Sequence, residues 1–139
     1  MATIESFEEL KCWQEARSYC QNIYVVLLSN TEIKDYPLKD QINRASGSVM
    51  DNIAEGFGRG GNKEFKHFLS IARASCTETK SQLYRAYDRN YITKEQFDDL
   101  SNESTAIQKM ISGLIKFLNN SEYKGSKLME DSSPYGIIA

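Results

Sequence analysis

Six polar residues, Gln41, Arg44, Ser48, Asn52, Glu55 and Arg59, follow one another in steps of three or four, which lines them up on one strip of a helix. A row of mixed donors and acceptors has three uses: holding an anion, moving a proton, or tying one helix to another. The same stretch carries Ile42, Ala45, Val49, Ile53 and Gly56, an apolar strip centred about 100° around the helix from the polar one. The polar row therefore borders a core. Each group left unpaired there would cost on the order of 1–3 kcal/mol, so bonds to a neighbouring helix or subunit are expected ahead of catalysis.

That helix ends in four glycines, Gly56, Gly58, Gly60 and Gly61, around Phe57 and Arg59. Their spacing satisfies GxGxxG, but a dinucleotide site needs that turn between a strand and a helix, and here a helix precedes it. A plainer anion site would use Arg59, the amides of the turn, Lys63 and the start of the next helix. The competing expectation is a turn whose glycines permit close packing. Glu64 and His67 form E-x-x-H, half of a carboxylate-bridged di-iron signature that needs two such pairs facing a bundle interior. The chain has one histidine, and it falls about 140° from the apolar centre of its helix, facing outward. Neither a metal site nor an oriented base for Ser–His–Asp or Cys–His catalysis follows from it. The reading is accordingly a non-enzyme with no metal and no cofactor.

Lys66, Arg73 and Lys80 are spaced by sevens, and Tyr84 continues their strip, while Glu64 and Glu78 lie elsewhere around the helix. A basic ladder ending on an aromatic can follow a phosphate backbone and stack a base. The competing expectation is a solvated face, or ion pairs to Asp98, Asp99 or Glu103. Formal net charge is −2, yet from Lys34 to Lys94 there are 11 Lys/Arg against 7 Asp/Glu, with 6 against 12 in the remainder. The middle of the chain is where an anionic partner would bind. Candidate nucleic-acid contacts are Arg44, Arg59, Lys63, Lys66, Arg73, Lys80 and Tyr84.

These side chains need helices to carry them. Ser6 with Glu9 makes a capping box, and Phe7, Leu10, Trp13, Ala16, Ile23 and Tyr24 recur at helical spacing towards Ser29. Phe7, Trp13 and Tyr24 are expected in the core or a subunit interface. Tyr36-Pro37 opens a second helix, with proline in the first turn where its missing N–H costs nothing. Asn62 caps a third, lined by Phe65, Phe68, Leu69, Ala72, Cys76, Leu83 and Ala86, with Asn90 as a left-handed stop. Thr93 and Gln96 box a fourth, lined by Phe97, Leu100, Ile107, Ile111, Leu114 and Leu118. No segment alternates like a strand. Short connections favour antiparallel neighbours, which gives an all-α, up-down four-helix bundle over residues 1–120. From 121 to 139 the periodicity stops and Ser, Gly and Pro enter, as in a flexible tail. Cys12, Cys20 and Cys76 are odd in number and lack CxxC spacing, as free thiols of a cytoplasmic protein do. No apolar run approaches the roughly 18 residues of a membrane span, and the first residues do not pattern as a signal peptide.

The run RASGSVMDNIAEGFGR, followed by KEFKHFLSIARAS and Glu78, resembles the four-helix-bundle proteins encoded in intervening sequences of bacterial 23S ribosomal RNA genes. The opening FEELKCWQEA is similar to that family's first helix. The motif is Asn52-Ile-Ala-Glu-Gly56 with Arg59 and then Phe68-Leu69, and the likeness extends from Phe7 to Leu118. Members often have proline near Met50 and glycine near Ala74, which this chain lacks. The resemblance implies a bundle that assembles as a ring-shaped homopentamer. It also implies a link to the accessory proteins of diversity-generating retroelements, which work with a reverse transcriptase and nucleic acid. Gln41, Arg44, Ser48, Asn52, Glu55, Gly56, Phe68, Leu69 and Glu78 are then the structural and assembly set. Expected partners are other copies of the chain and RNA or DNA; the alternative is an oligomeric scaffold for a protein partner.

Overall fold

The computed structural model describes residues 3–120 and 128–129. Four helices account for nearly all of it: α1 (Lys11–Ile23), α2 (Tyr36–Gly58), α3 (Asn62–Asp88) and α4 (Lys94–Asn119). They pack in cyclic order, each against the next and α1 against α4. Bonds from Lys66 to Asn119 and from Lys80 to Thr105 show that α3 and α4 run antiparallel. Among the described residues, no helix is long and apolar enough to cross a membrane.

The first helix departs from the sequence expectation at both ends. The Ser6–Glu9 capping box forms, with Glu9 Oε2 accepting from the Glu5 and Ser6 amides at 2.9 Å each. It closes only a 3₁₀ turn, Phe7–Glu9. Leu10 then turns extended and is fully buried, so the α-helix begins one residue later. After Ile23 the chain widens into a π turn, Tyr24–Leu28, closed by Ser29 N–H to Tyr24 O at 2.8 Å. The wider turn keeps Leu27 in the core but leaves Tyr24 47% and Val25 61% exposed.

Local signals fix the other ends. Asp35 caps α2 by accepting from Leu38 N–H. It also accepts from Arg89 at 2.7 Å and from Tyr91 at 3.0 Å, so one carboxylate joins the start of α2 to the α3–α4 turn. That turn is a Schellman stop, with Asn90 at φ 61 and Tyr91 N–H reaching Ala86 O. Thr93 and Gln96 exchange both bonds of the expected capping box. At α3 the cap is Gly61, not Asn62; Asn62 instead donates to Leu118 O at 2.9 Å and ties the base of α3 to the end of α4. Helix α2 runs unbroken past Met50.

One small sheet exists where none is expected. β1 (Thr3–Ile4) pairs antiparallel with β2 (Leu128–Met129), Thr3 opposite Met129. The rest of the expected flexible tail, 121–127 and 130–139, lies outside the described residues.

The core takes Trp13, Ala16, Tyr19 and Ile23 from α1, Ile42, Val49 and Ile53 from α2, and the expected apolar strips of α3 and α4 except Phe68, which is only half-buried and lies under the Arg59 guanidinium. At Gly56, α2 lies close against α3. A methyl group there would sit 2.6 Å from Phe68 Cβ and 3.3 Å from Phe65 O. The three cysteines are free, and burial pushes the Cys12 thiol up to about 12, which leaves it inert.

Burial of Asp35 raises its carboxyl, but the bonds from Tyr91, Leu38 N–H and Arg89 outweigh this and hold it below the ordinary value. A carboxyl lowered on folding stabilises above its unfolded pKa, and the contribution disappears as pH falls through the folded value. Asp35→Asn is therefore expected to lower the melting temperature at pH 7 and to leave it close to wild type in acid well below the carboxylate range. Equal losses at both pH values would contradict this.

Candidate nucleic-acid interface

The basic ladder lies along the seam between α3 and α4. Lys66, Arg73 and Lys80 are half-buried, and each crosses to α4: Lys66 Nζ to Asn119 Oδ1 at 2.9 Å, Arg73 Nη1 to Ser112 Oγ at 3.1 Å, and Lys80 Nζ to Thr105 Oγ1 at 2.8 Å. The acceptors are themselves spaced by sevens and run the opposite way, as antiparallel helices in one register must. Thr77 to Gln108 at 3.1 Å continues the same register. Neither a bare solvated face nor ion pairs to Asp98, Asp99 and Glu103 describes this. Asp98 pairs with Lys94, and Glu103 accepts from Asn22.

Every ladder acceptor is neutral, an amide or hydroxyl oxygen. The bonds aim the cations along the seam without cancelling their charge. Tyr84 stands 51% exposed near the far end, edge-on to Phe97 at 4.7 Å. A concavity of about 350 Å³ opens at the middle of the seam, and Arg73, Lys109 and Lys116 line it together with Thr105, Gln108 and Ser112. Lys109 and Lys116 are basic residues of α4 that lie outside the seven-residue spacing of the ladder. They sit four residues beyond Thr105 and Ser112, a spacing visible in the sequence once α4's inward face is known.

Arg44, Arg59 and Lys63 are not gathered into this seam. Arg44 reaches Asp40 at 3.8 Å and Arg59 pairs with Glu55 at 2.7 Å, both one helical turn away. The Arg59 guanidinium also lies over the Phe68 ring at 5.0 Å. Lys63 is exposed on the first turn of α3. The glycine turn is a poor phosphate cradle, because the Glu64 carboxylate folds back against Gly61 at the α3 N-terminus. An acid there complements the helix dipole and occupies the place an anion would take. His67 is exposed and packs edge-on to Phe68 at 5.5 Å.

Of the polar row of α2, only Gln41 and Ser48 make the expected hydrogen bonds to the neighbouring helix α3; Arg44, Asn52, Glu55 and Arg59 find their polar partners within α2. Ser48 and Ser75 share a hydrogen bond at 2.9 Å, Asn52 Nδ2 donates to Ser48 O and Oγ at 2.8 Å each, and Gln41 Oε1 accepts from Arg85 at 2.7 Å. Around Gln41, Arg44, Ser48, Glu78 and Arg85 is a polar groove of about 560 Å³. Gln82 also lines it, and its Oε1 is buried without a hydrogen-bond partner among the described residues.

The helices and their order define an all-α bundle with neighbours antiparallel, carrying a basic seam on one side and a polar groove on an adjacent one. The family model for the 23S rRNA-intervening sequence protein matches residues 8–113, and the chain belongs to that family. A solved structure similar to it is a protein of unknown function from the S23 ribosomal protein family of Bacteroides thetaiotaomicron. The two are 27% identical with a TM-score of 0.67, over 76% of this chain and 98% of that one. No curated protein matches the chain.

Proposed function

We propose that this chain is a non-enzymatic, self-assembling bundle that binds nucleic acid along its α3–α4 seam as an accessory factor. The observation that carries the reading is the pairing of Lys66, Arg73 and Lys80 with neutral acceptors. Ladder cations bonded to carboxylates would be spent on the fold; these keep their charge for a polyanion. Assembly draws on the α2–α3 groove, where an unpartnered Gln82 oxygen and the charged Arg44, Glu78 and Arg85 suit a polar interface between copies. A ring, pentameric by family resemblance, would repeat the seam in each subunit and raise a weak site to useful avidity.

Light scattering on the purified protein is expected to give a mass several times the 15.9 kDa of one chain, and a gel shift at low salt should retard a labelled oligonucleotide. A monomer that shifts nothing would sink the proposal. A second reading, a scaffold for a protein partner, draws support from the exposed Tyr24 and Tyr36, which line a cleft of about 850 Å³ with Pro37 and Arg44. Assembly without any shift would favour it.

A further inference from the structure

The α3 ladder is one wall of the seam, and α4 supplies another. Lys109 and Lys116 are exposed, flank the acceptors Thr105, Ser112 and Asn119, and line the central concavity opposite Arg73. In the observed register Arg73 is level with Ser112, Lys66 with Asn119 and Lys80 with Thr105. Read along the seam, the cations then alternate between walls: Lys66, Lys116, Arg73, Lys109, Lys80. At 1.5 Å per residue this places a positive charge about every 5 Å over roughly 21 Å. None of the residues lining the concavity is acidic.

We propose that this two-walled seam is a track for the sugar-phosphate backbone of a single-stranded nucleic acid, with Lys109 and Lys116 as a second row of contacts beside the ladder. The proposal rests on the nucleic-acid reading above and adds the binding residues and the strand form. A step of about 5 Å between cations is comparable with the step between phosphates of an extended strand. Packed helices stand about 8–10 Å apart, so both rows reach one line of phosphates laid over the seam, whereas each strand of a duplex winds away from a straight track. Tyr84, exposed near the Lys80 end, offers a ring to an unpaired base. Phosphate contacts do not read sequence, so DNA and RNA strands share the chemistry.

The test is fluorescence anisotropy with labelled oligo-dT and oligo-U of about 20 nucleotides and a mixed-sequence duplex of equal length. The proteins are the wild type, the K109E/K116E double variant, and a K11E/K34E control with the same change in net charge. Both target lysines are exposed, so the double variant should fold normally. Each phosphate engaged on a single strand adds about −0.7 to the slope of log affinity against log salt. Loss of both lysines is therefore expected to flatten the slope by about 1.4 and to weaken strand binding by at least tenfold at low salt. The control should match wild type, dT and U should bind alike, and the duplex should bind less tightly than either. Wild-type affinity and slope in the double variant would overturn the second wall while leaving the ladder intact. A duplex preference would overturn the strand assignment, and a strong preference for one sugar would overturn recognition through phosphate alone. No binding by wild type would overturn the nucleic-acid reading itself.

Discussion

A protein carrying K66E, R73E and K80E together is expected to lose nucleic-acid binding, by about a hundredfold or more at low salt, while keeping its helical content and assembly. The size of the effect follows from position. Three positive charges on one wall become three negative ones, and the remaining Lys109 and Lys116 then face acids across the seam. Folding should survive because the three side chains lie on the half-buried rim of the seam, and the Ser112 hydroxyl and the Asn119 amide can donate to a glutamate as well as accept from a cation. The Thr105 hydroxyl already donates to Ser101 O, so a glutamate at position 80 turns to solvent. The bonds lost have charged donors, worth about 1.5–3 kcal/mol each where buried and less on this half-exposed rim. Circular dichroism and light scattering separate the outcomes. A folded, assembled triple variant that binds with unchanged affinity would remove the ladder from the interface.

Gly56→Leu is expected to be the most damaging single substitution for the fold. The space a Cβ would need lies 2.6 Å from Phe68 Cβ, an atom fixed to the α3 backbone, and 3.3 Å from the Phe65 carbonyl. Neither can swing aside like the end of a long side chain, so α2 and α3 must separate. Overpacking of this kind costs about 3 kcal/mol, roughly 10 °C in melting temperature for a domain of this size. Gly56→Ala should cost less, since it adds only the Cβ and not the branched chain beyond it, while helix propensity returns about 0.5–1 kcal/mol in either variant. Separation of α2 from α3 would also break the Ser48–Ser75 bond, so the leucine variant should assemble poorly. A variant melting within a degree or two of wild type would contradict the close approach.

Much of this architecture was legible in the residues. The Thr93 box, the Asn90 stop and Pro37 in the first turn of α2 are local signals, decided by groups within a few residues of each other. The apolar strips were legible for the same reason, because periodicity reports burial directly. Other features needed the tertiary structure. The Ser6 box forms as written, but whether a long helix follows depends on Leu10 finding a place in the core. Asn62 has the side chain of a cap and uses it on Leu118, fifty-six residues away. The π turn at Tyr24–Leu28 has no local marker.

The candidate site divides in the same way. The seven-residue spacing of Lys66, Arg73 and Lys80 was visible, and so was that of Thr105, Ser112 and Asn119. Nothing in either row states that one faces the other. Lys109 and Lys116 became interpretable only once α4 had an inward face, while Arg44 and Arg59 met acids one turn away on their own helix.

The central claim is that a charged seam engages several phosphates at once, and its most direct test is the salt dependence of wild-type binding to a single strand. Five engaged cations predict a slope of log affinity against log salt of about −3.5, at about −0.7 per phosphate. A steep, linear fall near that value would establish a multi-phosphate contact of the size the seam allows. A flat line, or no binding even at the lowest salt, would contradict the account.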